Sequence, residues 1–336
     1  MRAYLKELFA TVVILMTSIS PAGAMENAIS ALNHPRIVSV NQDGHGGCTG
    51  WLYSPRIVFT NAHCVHSWLM KPDKVLLGPN RISVSKPGSK YDFSWPTKDI
   101  FAEKVFTTST FDWYRAEVGG TLSYKDDFAA IVLKEPLAEV ETASLLTEQQ
   151  LMTLVSNRAQ IWTGGYGYQS AQDRAEAKRG SSRNGLEPKK ANYQIISNEE
   201  GMSKVNQYKQ EWNRQYFQEI VTFVRVPMNG PSPCDGDSGS GFFLEEGNKF
   251  TYLGVTHANI GNTNCGMDTI TSDGITGFAP VYLFSDIVKS AEDYVAANPL
   301  KSAVSKTIYC KKGKKTKAIS KVNPKCPAGY KKTTNP

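Results

Sequence analysis

The stretch that most constrains this chain is Cys234-Asp235-Gly236-Asp237-Ser238-Gly239-Ser240-Gly241. Its glycines allow a sharp turn, which can direct the backbone N–H groups of Gly236 and Ser238 at one point. A serine hydroxyl is a weak nucleophile that needs a neighbouring base, and its attack on a carbonyl needs donors for the oxyanion. The stretch therefore predicts either an ordinary Gly/Ser/Asp turn or a nucleophilic Ser238 beside an oxyanion hole, and a matching histidine and carboxylate would favour the second.

Both groups occur upstream of Ser238. Thr60-Asn61-Ala62-His63-Cys64 supplies the histidine, and Asp127 stands at the head of an apolar run, directly after Asp126. The order His, Asp, Ser is one of the known chain orders of the Ser-His-Asp triad.

With these motifs, residues 37–297 resemble the secreted, bacterial-type members of the trypsin/chymotrypsin family of serine peptidases. The resemblance implies an all-β fold of two antiparallel six-stranded β-barrels with the active site between them, followed by a C-terminal helix. It assigns catalysis to His63, Asp127 and Ser238, and the oxyanion hole to the N–H groups of Gly236 and Ser238. The family pattern of acid, apolar, Ala, apolar, apolar fits Asp127, whereas Asp126 is one residue out of phase and would point to the opposite strand face.

The same resemblance implies how the six cysteines pair. The expected bridges are Cys48–Cys64 around His63, Cys234–Cys265 beside the specificity pocket, and the remaining Cys310–Cys326 in the C-terminal tail. Each should contribute about 3 kcal/mol by restricting the unfolded chain. The alternative is free thiols or a metal site, but the chain has no Cys-x-x-Cys pair. We expect no metal and no cofactor.

The specificity pocket is assigned to Ser232, Thr256 and His257. The family places its pocket-floor residue six positions before the nucleophile, and in trypsin this residue is an acid that selects Lys and Arg. Ser232 carries no charge, so we expect cleavage after uncharged side chains. Some members that cleave after Glu use a histidine near the position of His257, and this alternative stays open.

Activation by cleavage is a second open point. Arg36-Ile37-Val38 invites comparison with the activation site of trypsinogen-like zymogens, but Ile37 lies only 11 residues before Cys48. The new terminus of the family lies well over twenty residues before this cysteine. We therefore predict that Ile37–Val40 is the first barrel strand. A terminus created near Met25 or Ile29 could still pair with the acid before the nucleophile, so a zymogen is not excluded.

Residues 1–24 have the features of a secretory signal peptide: Arg2 and Lys6, an apolar run over 8–19, and the small residues Ala22-Gly23-Ala24. The apolar run is too short for a comfortable membrane span, and no later stretch qualifies. We expect a peptidase domain over 25–299 that is secreted, either outside the cell or into a periplasm, where disulfides persist.

Two further segments differ from the predicted barrels. Residues 169–215 are charged and rich in Gln, Asn and Lys, and we interpret them as an insertion that includes a helix over 202–217. It would either shape the substrate cleft or lie apart from it.

Residues 300–336 form a predicted disulfide-stapled tail, a hairpin too short to bury a core without its bridge. Residues 301–336 contain eleven lysines and no acid. The charge of this segment exceeds the net charge of +7 of the whole chain, so the rest of the chain is net negative. The lysines would either bind an anionic cell-surface polymer or keep the tail soluble. Few aromatic residues accompany them, so we expect no specific nucleic-acid binding.

The sequence thus predicts a secreted serine endopeptidase that cleaves protein or peptide substrates through an acyl-enzyme. The alternative is a catalytically silent homologue, or a surface-binding protein that acts through its basic tail. Silent homologues usually lack a triad residue, whereas this chain has all three.

Overall fold

Short β-strands account for most of the regular structure in this computed structural model. The structure describes residues 28–42, 45–66, 76–90, 99–108, 111, 126–169, 186–207, 222–228, 230–260, 273–300, 306–313, 315–321 and 325–333. The predicted signal peptide and Cys265 therefore lie outside the described residues.

The strands, in chain order, are β1 (Ile29–Ser30), β2 (Ile37–Gln42), β3 (His45–Ser54), β4 (Ile57–Thr60), β5 (Ile82–Val84), β6 (Ile100–Thr107), β7 (Ala129–Leu133), β8 (Ser144–Leu145), β9 (Gln160–Gly165), β10 (Lys189–Ile196), β11 (Thr222–Val226), β12 (Gly241–Glu246), β13 (Lys249–Ile260), β14 (Gly274–Pro280), β15 (Lys306–Lys312), β16 (Lys315–Lys321) and β17 (Lys331–Thr333). The α-helices are α1 (Glu148–Ser156), α2 (Asn198–Gln207) and α3 (Ser285–Ala297).

The first barrel closes in the order β2-β3-β4-β7-β6-β5, with antiparallel pairs throughout. Its first strand starts at Ile37, as predicted, and the hairpin of β3 and β4 turns through Pro55 and Arg56, between the paired Ser54 and Ile57. β-Branched residues favour strands because their side chains pack well on a pleated surface. The barrel core is built largely from such residues together with the Cys48 and Cys64 side chains.

The second barrel is formed by β9 to β14. Its ring closes because β9 pairs with β12 on one side and with β10 on the other, with β11, β14 and β13 between them. β1 extends the sheet beside β10, and β8 pairs in parallel with the start of β13. The predicted two six-stranded barrels and C-terminal helix are confirmed.

The interpretation of 169–215 as an insertion is wrong for residues 189–196. Lys189–Ile196 is the barrel strand β10, which pairs with β9, and with β11 at its C-terminal end. Ala191, Tyr193 and Ile195 are buried at alternate positions, which is the period of a strand with one face in a core. The lysines and amides between them concealed this alternation within a charged stretch.

Helices were predicted less well than strands. α2 starts at Asn198, before the predicted 202, and the predicted part after Gln207 lies outside the described residues. α1 was not predicted, although it begins with a capping box: the Thr147 hydroxyl accepts the Gln150 N–H, and the Gln150 side chain accepts the Thr147 N–H. This reciprocal pair satisfies backbone donors that would otherwise lack partners at a helix start.

Aromatic side chains fill the contact between the barrels. Trp51 of β3 lies against Phe243 of β12, with ring centroids 4.2 Å apart, and its ring also lies 6.0 Å from that of Tyr252. Phe59 of β4 lies 5.1 Å from Tyr252. These rings are fully buried, so each should contribute roughly 2–3 kcal/mol through apolar burial. The contact fixes the two barrels relative to each other.

His34 lies in this aromatic contact, and its environment makes folding stability depend on pH. The ring is 6% exposed, lies 5.4 Å from Phe243, and accepts the Arg36 N–H at Nδ1. Burial, and then the nearby charges of Lys190 and Arg36, lower the pKa of His34 to about 3. The folded protein therefore keeps His34 neutral, whereas the unfolded chain protonates it below about pH 6.5.

We expect the free energy of unfolding to fall as the pH drops from about 6.5 towards 3, because the unfolded state then binds an extra proton. At pH 5, His34 should lower the free energy of unfolding by about 2 kcal/mol relative to neutral pH. Urea unfolding at pH 7.5 and pH 5 would measure this loss, and His34→Gln should reduce it by that amount. Groups common to both proteins cancel in the comparison. If His34→Gln lost the same free energy of unfolding between pH 7.5 and pH 5 as the parent, His34 would not be the source of this pH dependence.

The described chain divides into two compact units, Met1–Glu292 and Asp293–Pro336. The second unit contains a three-stranded antiparallel sheet in the order β16-β15-β17. The predicted hairpin is thus present as β15 and β16, with β17 as an additional strand. The Cys310–Cys326 disulfide is confirmed. None of the described helices is long and apolar enough to cross a membrane.

Candidate active site

His63 lies on a short 3₁₀ turn, Ala62–Val65, which directly follows β4. The Cys48–Cys64 disulfide is confirmed and ties this turn to β3. The His63 side chain is largely buried, with about a tenth of its surface exposed. The turn therefore presents one imidazole in a fixed position at the edge of the first barrel.

Asp127 contacts His63 at two points. Its Oδ1 accepts the backbone N–H of His63 at 2.8 Å, and its Oδ2 lies 2.8 Å from His63 Nδ1. An ionised carboxylate can only accept hydrogen bonds, so Nδ1 carries the proton and Nε2 presents its lone pair. Asn61 Nδ2 also donates to the Asp127 carbonyl, at 2.8 Å. The carboxylate thus sets both the orientation and the tautomer of the ring.

Asp126, the competing carboxylate, has a different place. Its carbonyl accepts the Phe128 N–H at 3.0 Å and the Thr108 hydroxyl at 2.6 Å, which holds the turn before β7. The structure therefore brings Asp127 to His63, as the family pattern predicted.

Ser238 lies in a tightly bonded turn at the start of the second half of the other barrel. Gly236 and Gly239 on either side of it have φ angles of 98° and 83°, which L-residues with side chains rarely adopt. The buried Asp237 between them accepts the Gly167 N–H at Oδ1 and the Cys234 N–H at Oδ2, at 2.7 and 2.8 Å. Its side chain thereby anchors the turn to the segment after β9.

Thr49 of β3 joins this turn to the first barrel. Its backbone N–H donates to the Ser238 carbonyl at 2.9 Å, and its hydroxyl donates to the Gly236 carbonyl at 2.8 Å. The same hydroxyl accepts the Tyr166 N–H at 2.9 Å. Thr49 is completely buried, and its contacts involve both sides of the cleft between the barrels.

Gly239 shows how closely the two sides approach. A Cβ at this position would clash with the Thr60 hydroxyl and the Thr49 carbonyl. The positive φ independently requires glycine here. Next to it, the Cys64 Sγ lies 3.7 Å from the Ser238 carbonyl oxygen. Ser238 is therefore held beside the turn that carries His63, and it is partly exposed to solvent.

The predicted oxyanion-hole residues both belong to this turn. Thr49 donates hydrogen bonds to the carbonyl oxygens of Gly236 and Ser238, and these bonds fix the peptide group that follows each of the two residues. The role of their N–H groups stays a prediction.

The three predicted pocket residues have different surroundings in the structure. Thr256 of β13 donates its N–H to the Ser240 carbonyl, and the hydroxyls of these two residues lie 3.0 Å apart, so this strand is bound to the turn that carries Ser238. Ser232 is buried and its hydroxyl lies 3.3 Å from the Pro233 carbonyl. His257 lies in β13 where the register to β14 shifts, and its side chain is outside the described residues. Cys234 is disulfide-bonded, but its predicted partner Cys265 is not among those residues.

One set of potential metal ligands occurs among the described residues: His63 with Cys48 and Cys64, whose ligand atoms lie within 4.8 Å of one another. The two sulfurs form the disulfide and offer no thiolate. His63 Nδ1 faces Asp127. This set therefore suits proton transfer rather than metal binding.

Sequence reasoning missed Thr49, Thr60 and Gly167. Each acts through a hydrogen bond or a close approach to a residue far along the chain: Gly167 and Asp237 are separated by 70 residues, and Thr49 and Gly236 by 187. Thr49 is fully buried, but the burial of a single threonine between Cys48 and Gly50 is not visible in the sequence.

The comparisons with known proteins agree with this fold. A family model described as Trypsin matches residues 26–288. None of the curated proteins matches the chain. A solved structure similar to this chain is the inactivated protease paralogue S-D1 of the scabies mite, with a TM-score of 0.53 and 18% identity over 80% of this chain and 97% of that chain. At this identity the likeness concerns the fold.

Proposed function

Because this chain belongs to the trypsin family, we propose that it is a secreted serine endopeptidase with the triad His63, Asp127 and Ser238. The observation that carries the proposal is the two-point contact of the Asp127 carboxylate with the backbone N–H and Nδ1 of His63. This contact leaves the Nε2 lone pair to act as a base. Ser238 lies in a turn that Thr49 binds through two hydrogen bonds, beside the turn Ala62–Val65 that carries His63.

In the proposed reaction, the Ser238 hydroxyl attacks the scissile carbonyl while His63 Nε2 takes its proton. Asp127 stabilises the imidazolium. The N–H groups of Gly236 and Ser238 bind the oxyanion, and each such donor typically contributes about 3–4 kcal/mol of transition-state stabilisation. His63 then returns the proton to the leaving amine. In the second half of the reaction, His63 takes a proton from water as the water oxygen attacks the acyl carbonyl. The ester bond to Ser238 then breaks, and His63 returns the proton to the Ser238 oxygen.

The proposed specificity rests on Ser232, which supplies a hydroxyl and no charge to the segment before the nucleophile. A neutral pocket floor gives no counter-charge to Lys or Arg, so we propose cleavage after uncharged side chains. Thr256 would line the same pocket, since it is bonded to the nucleophile turn through Ser240. His257 is retained as a proposed pocket residue. Disulfides, together with the apolar leader, support export to an oxidising compartment.

The test combines active-site labelling with digestion of casein by the secreted protein. We expect a fluorophosphonate probe to label Ser238, as located by peptide mass spectrometry, and the probe should still label Ser238 in a Ser240→Ala control. Casein fragments should end after uncharged residues. Fragments ending after Lys or Arg would contradict the proposed neutral pocket but not the role of Ser238 as the nucleophile.

Activity needs this direct measurement, because the scabies mite structure is described as an inactivated protease. N-terminal sequencing and a urea-unfolding curve should accompany it, to establish that the sample is processed and folded. A folded, processed protein that neither takes the label nor cleaves casein would identify a silent homologue and refute the proposal.

A further inference from the structure

The sheet of the C-terminal unit sorts its lysines by face. Side chains alternate between the two faces of a strand, and directly paired residues share a face. One face carries Ile308, Cys310 and Lys312 of β15, Ile319, Lys317 and Lys315 of β16, and Lys332 of β17. The other face carries Tyr309, Lys311, Thr316, Ala318, Lys331 and Thr333. We call the exposed cations Lys312, Lys315, Lys317 and Lys332 the basic face.

The pairing on the basic face is electrostatically unfavourable. Lys312 stands directly opposite Lys315, and Cys310 has Lys317 on one side and Lys332 on the other. Like charges directly opposite each other destabilise a sheet. The disulfide from the buried Cys310 to Cys326 ties β15 to the segment before β17 and so offsets part of this repulsion. An anionic ligand bound here would relieve it.

The ammonium groups are also held in position. Lys317 Nζ lies 5.5 Å from the centroid of the Tyr330 ring, and the ammonium of Lys312 lies beside Gly329. Both contacts are with the turn closed by the Tyr330 N–H and the Pro327 carbonyl. This ordering lowers the conformational entropy that binding would cost.

From this arrangement we propose that the basic face binds a linear acidic polysaccharide. Lysines are point charges without the planar fork that arginine uses for specific bidentate contacts, so they suit a repeating anionic chain. On the basic face, Lys315 and Lys317 lie about 7 Å apart along β16, and Lys312 and Lys315 lie about 5 Å apart across the strand pair. Lys317 and Lys332 lie about 10 Å apart, on either side of Cys310. The segment 301–336 contains only two aromatic residues, Tyr309 and Tyr330, on which bases could stack. A membrane-binding face would need exposed apolar anchors beside its cations, and Ile308 and Ile319 are half-buried.

The test measures binding of the full chain to alginate, a polyuronate, at 50, 100 and 200 mM NaCl. All proteins carry Ser238→Ala, so that self-digestion does not affect the result. We expect Lys315→Gln with Lys317→Gln to weaken binding about tenfold and to lessen its salt dependence, because two cation contacts are lost. The matched control Lys311→Gln with Lys331→Gln removes the same charge from the opposite face and should change affinity less than twofold.

Three outcomes would overturn the proposal. Equal losses in the two double variants would mean that only net charge matters. Tighter binding to double-stranded DNA or to phosphatidylserine vesicles than to alginate would point to another class of partner. Absence of alginate binding, with the Cys310–Cys326 disulfide intact by mass spectrometry, would exclude the polysaccharide. None of these readouts depends on peptidase activity.

Discussion

Asp127→Asn is expected to lower kcat for peptide hydrolysis about ten-thousandfold with little change in KM. The amide keeps one oxygen, which can still accept the His63 backbone N–H that now bonds to Oδ1. Its NH₂ group then faces Nδ1, where the carboxylate Oδ2 lies at 2.8 Å in the present structure. A donor at this point favours the tautomer with the proton on Nε2. His63 can then no longer accept the proton of Ser238.

Asp126→Asn is the matched control, because it makes the same chemical change one residue away. Asp126 holds the turn through its carbonyl, which the substitution leaves in place. We expect its kcat to stay within a few-fold of the parent value. Steady-state kinetics on a casein-derived peptide, with the rate of fluorophosphonate labelling of Ser238, would measure both variants. Comparable losses in the two would disprove the distinct role of Asp127, and so would a retained kcat in Asp127→Asn.

The contact between His63 and Asp127 was within reach of the sequence because each residue sits in a short, distinctive local pattern. β7 is buried at every position from Ala129 to Leu133, so its composition does not distinguish one strand face from the other. A one-residue slip would nevertheless turn the carboxylate to the opposite face. The preference for Asp127 over Asp126 therefore followed from the family pattern.

The second barrel was harder to predict because its signals are weaker. β10 alternates buried and polar residues, but its outward positions carry Lys190, Asn192 and Gln194, so the whole stretch has the composition of a loop. Its strand conformation depends on pairing with β9, whose residues lie about thirty positions earlier. Long-range pairing of this kind overrides local composition. The Thr147–Gln150 capping box, by contrast, was a local signal that should have predicted α1.

The contacts that join the two halves of the site were outside the reach of sequence reasoning. Thr49 follows Cys48 in an otherwise ordinary strand, and the sequence shows nothing that links it to Tyr166 or Gly236. Those hydrogen bonds span 117 and 187 residues. They exist only because the first and second barrels have packed through the aromatic contact of Trp51 with Phe243. The predicted catalytic motifs are local, whereas their relative position is a property of the whole fold.

This dependence gives a second large expected effect. Thr49→Val should lower kcat about a hundredfold while KM changes less than threefold. Valine has nearly the shape of threonine but lacks the hydroxyl that donates to the Gly236 carbonyl and accepts the Tyr166 N–H. Loss of the first bond weakens the hold on the Gly236–Asp237 peptide group, which lies between the two proposed oxyanion donors and also donates its N–H to the Cys234 carbonyl. Misdirection of one oxyanion donor typically costs a hundredfold or more in kcat. The backbone bond from residue 49 to Ser238 remains.

Two further variants distinguish this positioning role from a general loss of stability. Thr49→Ser restores the hydroxyl and should recover kcat to within a few-fold. Thr222→Val removes another fully buried hydroxyl, on β11, for which the described residues provide no hydrogen-bond partner. It should therefore leave kcat unchanged and the free energy of unfolding equal or slightly higher.

A peptide boronate, which mimics the tetrahedral intermediate, should bind Thr49→Val more weakly in proportion to the loss of kcat. If boronate affinity is retained, or if kcat falls only with the folded fraction, Thr49 does not position the oxyanion hole.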